Sequence, residues 1–186
     1  YEDNVNVHTD EISRCEKKAK WFVIGQLAAF ILAISCIAIY AIYYGETVVI
    51  VLAIFFVLAY ITLRRMDVAN GDKIERLKAV RSVYANEMAY LNGDFKAFRD
   101  GKQYINPCHA YSFDMDVFGE QSLFQRINRT VTSGGSDYLA AQLGSASTRT
   151  RLEIEDQRDA INELADDVSL RTSFIAVGQL RGDIIN

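Results

Sequence analysis

Two histidines, one proline and three cysteines are all that 186 residues hold of these types, and each scarcity removes a class of function. His8 and His109 lie in unrelated surroundings, so no Ser/His/Asp or Cys/His arrangement for nucleophilic catalysis is proposed. Cys15, Cys36 and Cys108 are odd in number, show no CxxC spacing, and include one inside an apolar run. That argues against a disulfide framework and for a reducing compartment. Cys108 and His109 are adjacent, but two neighbouring ligands without a second pair fall short of a metal site. An ordinary loop is expected there.

A phosphate loop is lacking as well. Gly134-Gly135, in "TVTSGGSD", has neither the GxxxxGK[ST] length nor its lysine, and is read as a break between helices. Tandem repeats and low-complexity tracts are absent. So is an excess of positive charge: the formal net charge is -4. Residues 72–102 hold seven Lys/Arg against five Asp/Glu, whereas 150–186 hold four against eight. A chain whose main task was gripping nucleic acid would be basic, so no principal DNA grip is expected here.

What is present is length and apolar mass. With 186 residues, half of them hydrophobic, the chain has room for one ordinary domain and an appendage. It begins at Tyr1 and stops at "RGDIIN" just after a helical pattern, and is read as a piece of a longer protein.

From Trp21 to Tyr44 run 24 uncharged residues, "WFVIGQLAAFILAISCIAIYAIYY", which as a helix would reach about 36 Å and cover a hydrocarbon core with some tilt. A second uncharged run, Val48 to Leu63, has 16 residues and is followed by Arg64 and Arg65, whose stems can snorkel. Only Gly45-Glu46-Thr47 separates the runs, so an antiparallel transmembrane hairpin is predicted. Arg14, Lys17, Lys18 and Lys20 precede the first span, and the connecting turn has no cation. Both ends are therefore expected in the cytoplasm. Gly25, Ala29 and Ala33 recur every fourth residue, a stripe on which the second helix can pack closely.

Beyond the hairpin, Ile74, Leu77, Val80, Tyr84, Met88 and Leu91 fall at steps of three and four, and Asn92-Gly93 supplies a helix end. The cations Lys73, Arg76, Lys78 and Arg81 suit either anionic lipid or a solvated face. Residues 93–120 read as an ordered connector with room for a short strand. In it, Asp114 and Asp116 form an i,i+2 carboxylate pair, fit for turn and capping duty, or for a divalent ion were a third ligand to join. Helices are predicted over about 121–131, 136–144 with Ser136 as N-cap, 150–166, and from 169 or 170 to about 180. Leu123, Phe124, Ile127 and Leu139 are predicted to share one helical core. The predicted class is all-α: a cytoplasmic N-terminal segment over 1–20, a transmembrane hairpin over 21–66, an amphipathic helix and connector over 67–110, and a helical domain over 111–186.

Residues 111–143, "YSFDMDVFGEQSLFQRINRTVTSGGSDYLAAQL", resemble the start of the helical core domain of the MutS family of DNA mismatch-repair ATPases, and especially its membrane-anchored bacterial branch. Asp116-Val117-Phe118-Gly119, Ser122-Leu123-Phe124, Ile127-Asn128-Arg129-Thr130-Val131-Thr132, Gly135 and Leu139-Ala140 carry the likeness. Farther on, Ile154, Gln157-Arg158, Ala160-Ile161, Glu163-Leu164 and Leu170-Arg171 are similar to a later helix of that domain. Upstream, "ANEMAYLNGDF" and "GKQYINPCHAYSFDMD" extend the likeness over roughly 60–180.

The resemblance implies a parent protein that is an ATP-dependent, DNA-associated homodimer. ATP and magnesium would bind in a downstream domain, and the present residues would supply the anchor and part of the helical core. Membrane lipid is the expected partner of this chain, with DNA contacted weakly or not at all. No catalytic, cofactor-binding or metal-binding residue is assigned here. Phe118-Gly119-Glu120 reads F-x-E, the pattern with which mismatch-reading members wedge a Phe beside a mispaired base. There the motif belongs to a separate N-terminal domain, so no wedge is expected here. A different use of the same core is a non-enzymatic membrane scaffold that binds a protein partner.

Overall fold

The structure, a computed structural model, describes residues 1–43, 47–145 and 149–182. Six α-helices follow in chain order: α1 (Glu2–Tyr43), α2 (Thr47–Leu91), α3 (Leu123–Ile127), α4 (Ser133–Gly144), α5 (Arg151–Asp166) and α6 (Val168–Gly182). A single 3-10 turn, Lys102–Tyr104, lies in the connector, and no strand occurs among the described residues. The all-α class holds, and the short strand allowed for in 93–120 is replaced by turns. Gly45 and Glu46 of the predicted hairpin turn lie outside the described residues.

The chain divides into two compact units, Asn6–Lys78, and Ala79–Asn186 together with Tyr1–Val5. Within Asn6–Lys78, α1 and α2 meet along a seam with coiled-coil spacing. On α1, Ile12, Cys15, Gln26, Ala29 and Ala33 are buried, with Ala19, Phe22 and Cys36 half-buried at the intervening steps of three and four. On α2, Val49, Ala53, Phe56, Leu63, Asp67, Asn70, Ile74 and Leu77 keep the same register. The stripe of small residues lets the backbones approach: a Cβ added at Gly25 would stand 3.2 Å from Leu63 Cδ1.

Polar side chains lock this seam. Gln26 Nε2 donates to Asp67 Oδ2 at 3.2 Å, and Asn70 Nδ2 donates to the Cys15 carbonyl at 2.9 Å. Lys78 Nζ meets Glu16 Oε1 at 3.1 Å. The outer faces stay apolar and uncovered, with Trp21, Leu27, Ile37, Val51, Phe55 and Leu58 all exposed. Of the most apolar stretch, 17% is buried in α1 and none in α2. A core helix of a water-soluble domain would bury such a stretch against its neighbours. Both helices are long and apolar enough to cross a membrane.

In the second unit, Ala79 and Val83 of α2 pack on Ala176 of α6, flanked by Val80 and Ile175. Two predicted boundaries shift. The helix expected over 121–131 ends at Ile127, because Asn128 turns into extended backbone and caps it. The helix expected from 136 begins at Ser133, with Thr132 as N-cap accepting from the Gly135 N–H at 3.1 Å. Gly134 and Gly135 are thus the first turn of α4 rather than a break, and Ser136 is an interior residue that is 2% exposed. The break falls at 128–132, between the Asn128 N–H, which closes α3 on the Phe124 carbonyl, and the Thr132 hydroxyl, which opens α4. By contrast α5 starts as read, with Thr150 and Glu153 forming a reciprocal capping box.

Candidate functional site

The string 122–132 is held by its polar residues. Ser122 opens α3 by accepting from the Gln125 N–H at 3.3 Å. Buried Gln125 donates to the Phe95 and Phe98 carbonyls at 3.2 and 2.9 Å while its oxygen accepts from the Gln121 N–H at 2.7 Å. Asn128, 2% exposed, donates to the Arg99 carbonyl at 3.3 Å and accepts from both the N–H and the hydroxyl of Thr130. These amides tie the string to the 95–99 connector, whose backbone groups would otherwise be costly to leave unpaired.

Arg129 reaches the other way, to α2. Its Nε and Nη2 meet Glu87 Oε1 and Oε2 at 2.6 and 3.1 Å, and its guanidinium lies 3.7 Å from the centre of the Phe98 ring and 4.7 Å from that of Tyr90. The remaining nitrogen donates to the Arg126 and Asn128 carbonyls. Arg126 itself lies over the Phe95 ring at 5.0 Å. A planar fork stacked on rings and hydrogen-bonded through all three of its nitrogens is a structural clamp. A cleft of about 260 Å³ runs beside it, lined by Asn86, Arg99, Thr130 and Gln179 among others. Among the described residues, none of its lining side chains holds a buried polar atom that lacks a hydrogen bond.

Below the string sits an aromatic cluster. Phe124 is fully buried, with its ring 5.5 Å from Tyr104 and 5.6 Å from Phe118. Gly101 makes room for it: at φ 70° a side chain is disfavoured, and a Cβ would come within 2.7 Å of Phe124 Cδ1. Tyr104 donates its hydroxyl proton to the Asp137 carboxylate, beside Ser136 Oγ. Of the four residues predicted to share a core, Phe124 is buried and Leu139 half-buried, but Leu123 and Ile127 are 48% and 45% exposed. The buried face of this short helix is Phe124 and Gln125, so Gln125 takes an inner place that apolar spacing had given to Leu123 and Ile127.

The remaining sequence candidates have structural jobs. His109 Nδ1 faces the Tyr111 and Ser112 N–H groups at 3.4 and 3.2 Å, and its Nε2 lies 2.9 Å from the Gly144 carbonyl, so the ring bridges its own turn to the end of α4. Cys108 is exposed beside it. Asp116 adopts φ 48° in a tight turn where the Val117 N–H bonds the Ser112 carbonyl, and no cluster of metal-ligating residues is found among the described residues. Phe118 points into the aromatic cluster and not outward.

Two carboxyls are tuned. Burial raises the Asp100 carboxyl, but the Lys102 ammonium at 2.9 Å and the Lys102 N–H outweigh it and hold it below its usual range. The Asp100 carboxylate in turn holds the Lys102 ammonium above its own. Glu153 is lowered by the Thr150 N–H first and the Thr150 hydroxyl second. Both are turn and cap devices. A nucleotide phosphate does not fit the Gly134-Gly135 turn, since the Gly135 and Ser136 N–H groups are satisfied by Thr132 and no lysine accompanies them.

Sequence reading missed Gln125, Asn128 and Gly101, because amide staples and glycine clearances have no periodicity. No protein-family model matches the chain, and neither a curated protein nor a solved structure does.

Proposed function

We propose that the chain is the membrane-anchoring N-terminal region of a MutS-like protein, with α1 and α2 crossing the inner membrane as a hairpin whose two ends lie in the cytoplasm. One observation carries the reading. Two membrane-length helices with uncovered apolar faces precede a string, 116–132, that resembles the MutS core and whose Asn128, Arg129, Thr130 and Thr132 are the residues holding the helical platform. On this reading the parent is an ATP-dependent, DNA-associated homodimer. ATP and magnesium bind outside these residues, and the present ones anchor and brace. The placement of Arg14, Lys17, Lys18, Lys20, Arg64 and Arg65 beside one end of the spans supports the orientation.

A second reading, a membrane scaffold that captures a protein partner, draws on α5. Leu152, Ile154, Ile161 and Leu164 are all at least half exposed on it, and no residue of that helix is buried. The two readings separate in one experiment. Membrane vesicles carrying the complete open reading frame that contains these residues retain duplex DNA in an ATP-dependent way on the first, and show neither ATP hydrolysis nor DNA retention on the second.

A further inference from the structure

Within the unit Asn6–Lys78, the acids that lie among the cations next to the spans are already engaged. Glu16 is held by Lys78 at 3.1 Å. Asp67 accepts from Gln26 at 3.2 Å and from Arg64 at 3.4 Å. Arg14, Lys17, Lys18, Lys20 and Arg65 have no acidic partner among the described residues, and every one of them is exposed. The other acids, Asp10 and Glu11 on α1, the latter 3.9 Å from His8 Nδ1, and Asp72 and Glu75 on α2, stand farther from the apolar stretches. The Asn70–Cys15 and Lys78–Glu16 contacts bring the two basic segments to the same end of the hairpin. The result is a collar of unneutralised ammonium and guanidinium groups beside the apolar stretches, with its acids internally cancelled.

We infer that this collar is a recognition surface for anionic phospholipid headgroups, recruiting them in preference to zwitterionic ones into the lipid layer around the hairpin. This rests on the membrane-anchor reading. The occupant is chosen by charge and by position. Lys stems can run along the apolar helix surface and present their charge to phosphates at the boundary, and each cation held near an anionic leaflet is attracted to it until salt screens it. Lys78 is not part of the collar, because Glu16 neutralises it.

Trp21 is a built-in reporter: it is the only tryptophan, follows Lys20 directly, and is 73% exposed on the outer face of α1. The full chain, reconstituted in phosphatidylcholine vesicles, is titrated with brominated phosphatidylglycerol or, separately, brominated phosphatidylcholine at equal mole fraction. At low ionic strength the anionic quencher is expected to be about threefold more effective, consistent with a handful of surface cations each contributing modestly. The preference should vanish in high salt for the unaltered chain, and at low salt in the K17Q/K18Q/K20Q/R65Q variant. Equal quenching by the two lipids at low salt overturns the collar and leaves the anchor standing. No quenching by either lipid overturns both.

Discussion

Arg129 and Glu87 stand 42 residues apart and share a two-point ion pair, Nε to Oε1 at 2.6 Å and Nη2 to Oε2 at 3.1 Å. The pair joins the segment after α3 to α2, and Phe98 and Tyr90 flank its guanidinium. Both side chains are about three-quarters covered, at 25% and 22% exposure, so the pair lies between a surface bridge and a buried one. Arg129→Ala should cost about 2 kcal/mol, most of it from leaving the Glu87 carboxylate unpaired. Arg129→Lys should recover only part of that, since a point charge can neither fork nor stack. Thermal unfolding of the full chain in mild detergent reads the difference, and an unchanged midpoint for both variants would show the clamp to be idle.

Phe124→Ala should cost roughly 3–5 kcal/mol, the range for a fully buried aromatic. Leu123→Ala and Ile127→Ala, at half-exposed neighbours on the same short helix, should each stay below about 1 kcal/mol. Gly101→Ala should also destabilise, through its positive φ and its approach to the Phe124 ring. Chemical denaturation of the four variants in detergent checks the order. Equal losses at 123, 124 and 127 would restore the evenly buried helix that the apolar spacing suggested.

Gly178 on α6 and Val131 are coupled by space, since a Cβ on Gly178 would overlap the Val131 side chain. Gly178→Ala alone should therefore destabilise by about 1–3 kcal/mol, as overpacking does. Adding Val131→Ala should return much of it, giving a non-additive double-mutant cycle. Strict additivity would mean the two residues do not meet.

The start of α5 should be pH-sensitive. The Thr150 N–H and hydroxyl hold the Glu153 carboxyl below its usual range, so the cap's contribution is full above the unfolded carboxylate pKa and is lost as pH falls through the lower folded value. Protection of the first-turn amides of α5, measured against the intrinsic exchange rate at each pH, should fall on acidification, and Thr150→Ala should remove most of that dependence. A first turn whose exchange ignores Glu153 protonation would contradict the capping box.

Legibility in the sequence tracked the physics of each element. The two long apolar helices were legible because uncharged runs and a small-residue stripe are strong signals, and Gly25, Ala29 and Ala33 do lie on or beside the α1 seam. The Thr150 N-terminus was legible to within a residue because a capping box is local. The Gly134-Gly135 turn was misplaced because two glycines suggest a break, whereas the Thr132 cap makes them a helix start. Gln125 and Asn128 could not be foreseen as staples, since their partners, the carbonyls at 95, 98 and 99, are fixed only by tertiary approach. Asp67 was likewise silent until Gln26 was seen opposite it.

If α1 and α2 anchor this chain with both ends in the cytoplasm, positions 46 and 108 lie on opposite sides of a bilayer. Cys108 is exposed and serves as a native probe. With Cys15 and Cys36 replaced by Ala, a membrane-impermeant maleimide applied to intact cells should leave Cys108 unlabelled until lysis, and in a Cys108→Ser background should label Glu46→Cys at once. Labelling of Cys108 in intact cells, with Glu46→Cys silent until lysis, would reverse the orientation. Recovery of the unlabelled chain in the soluble fraction would remove the anchor itself.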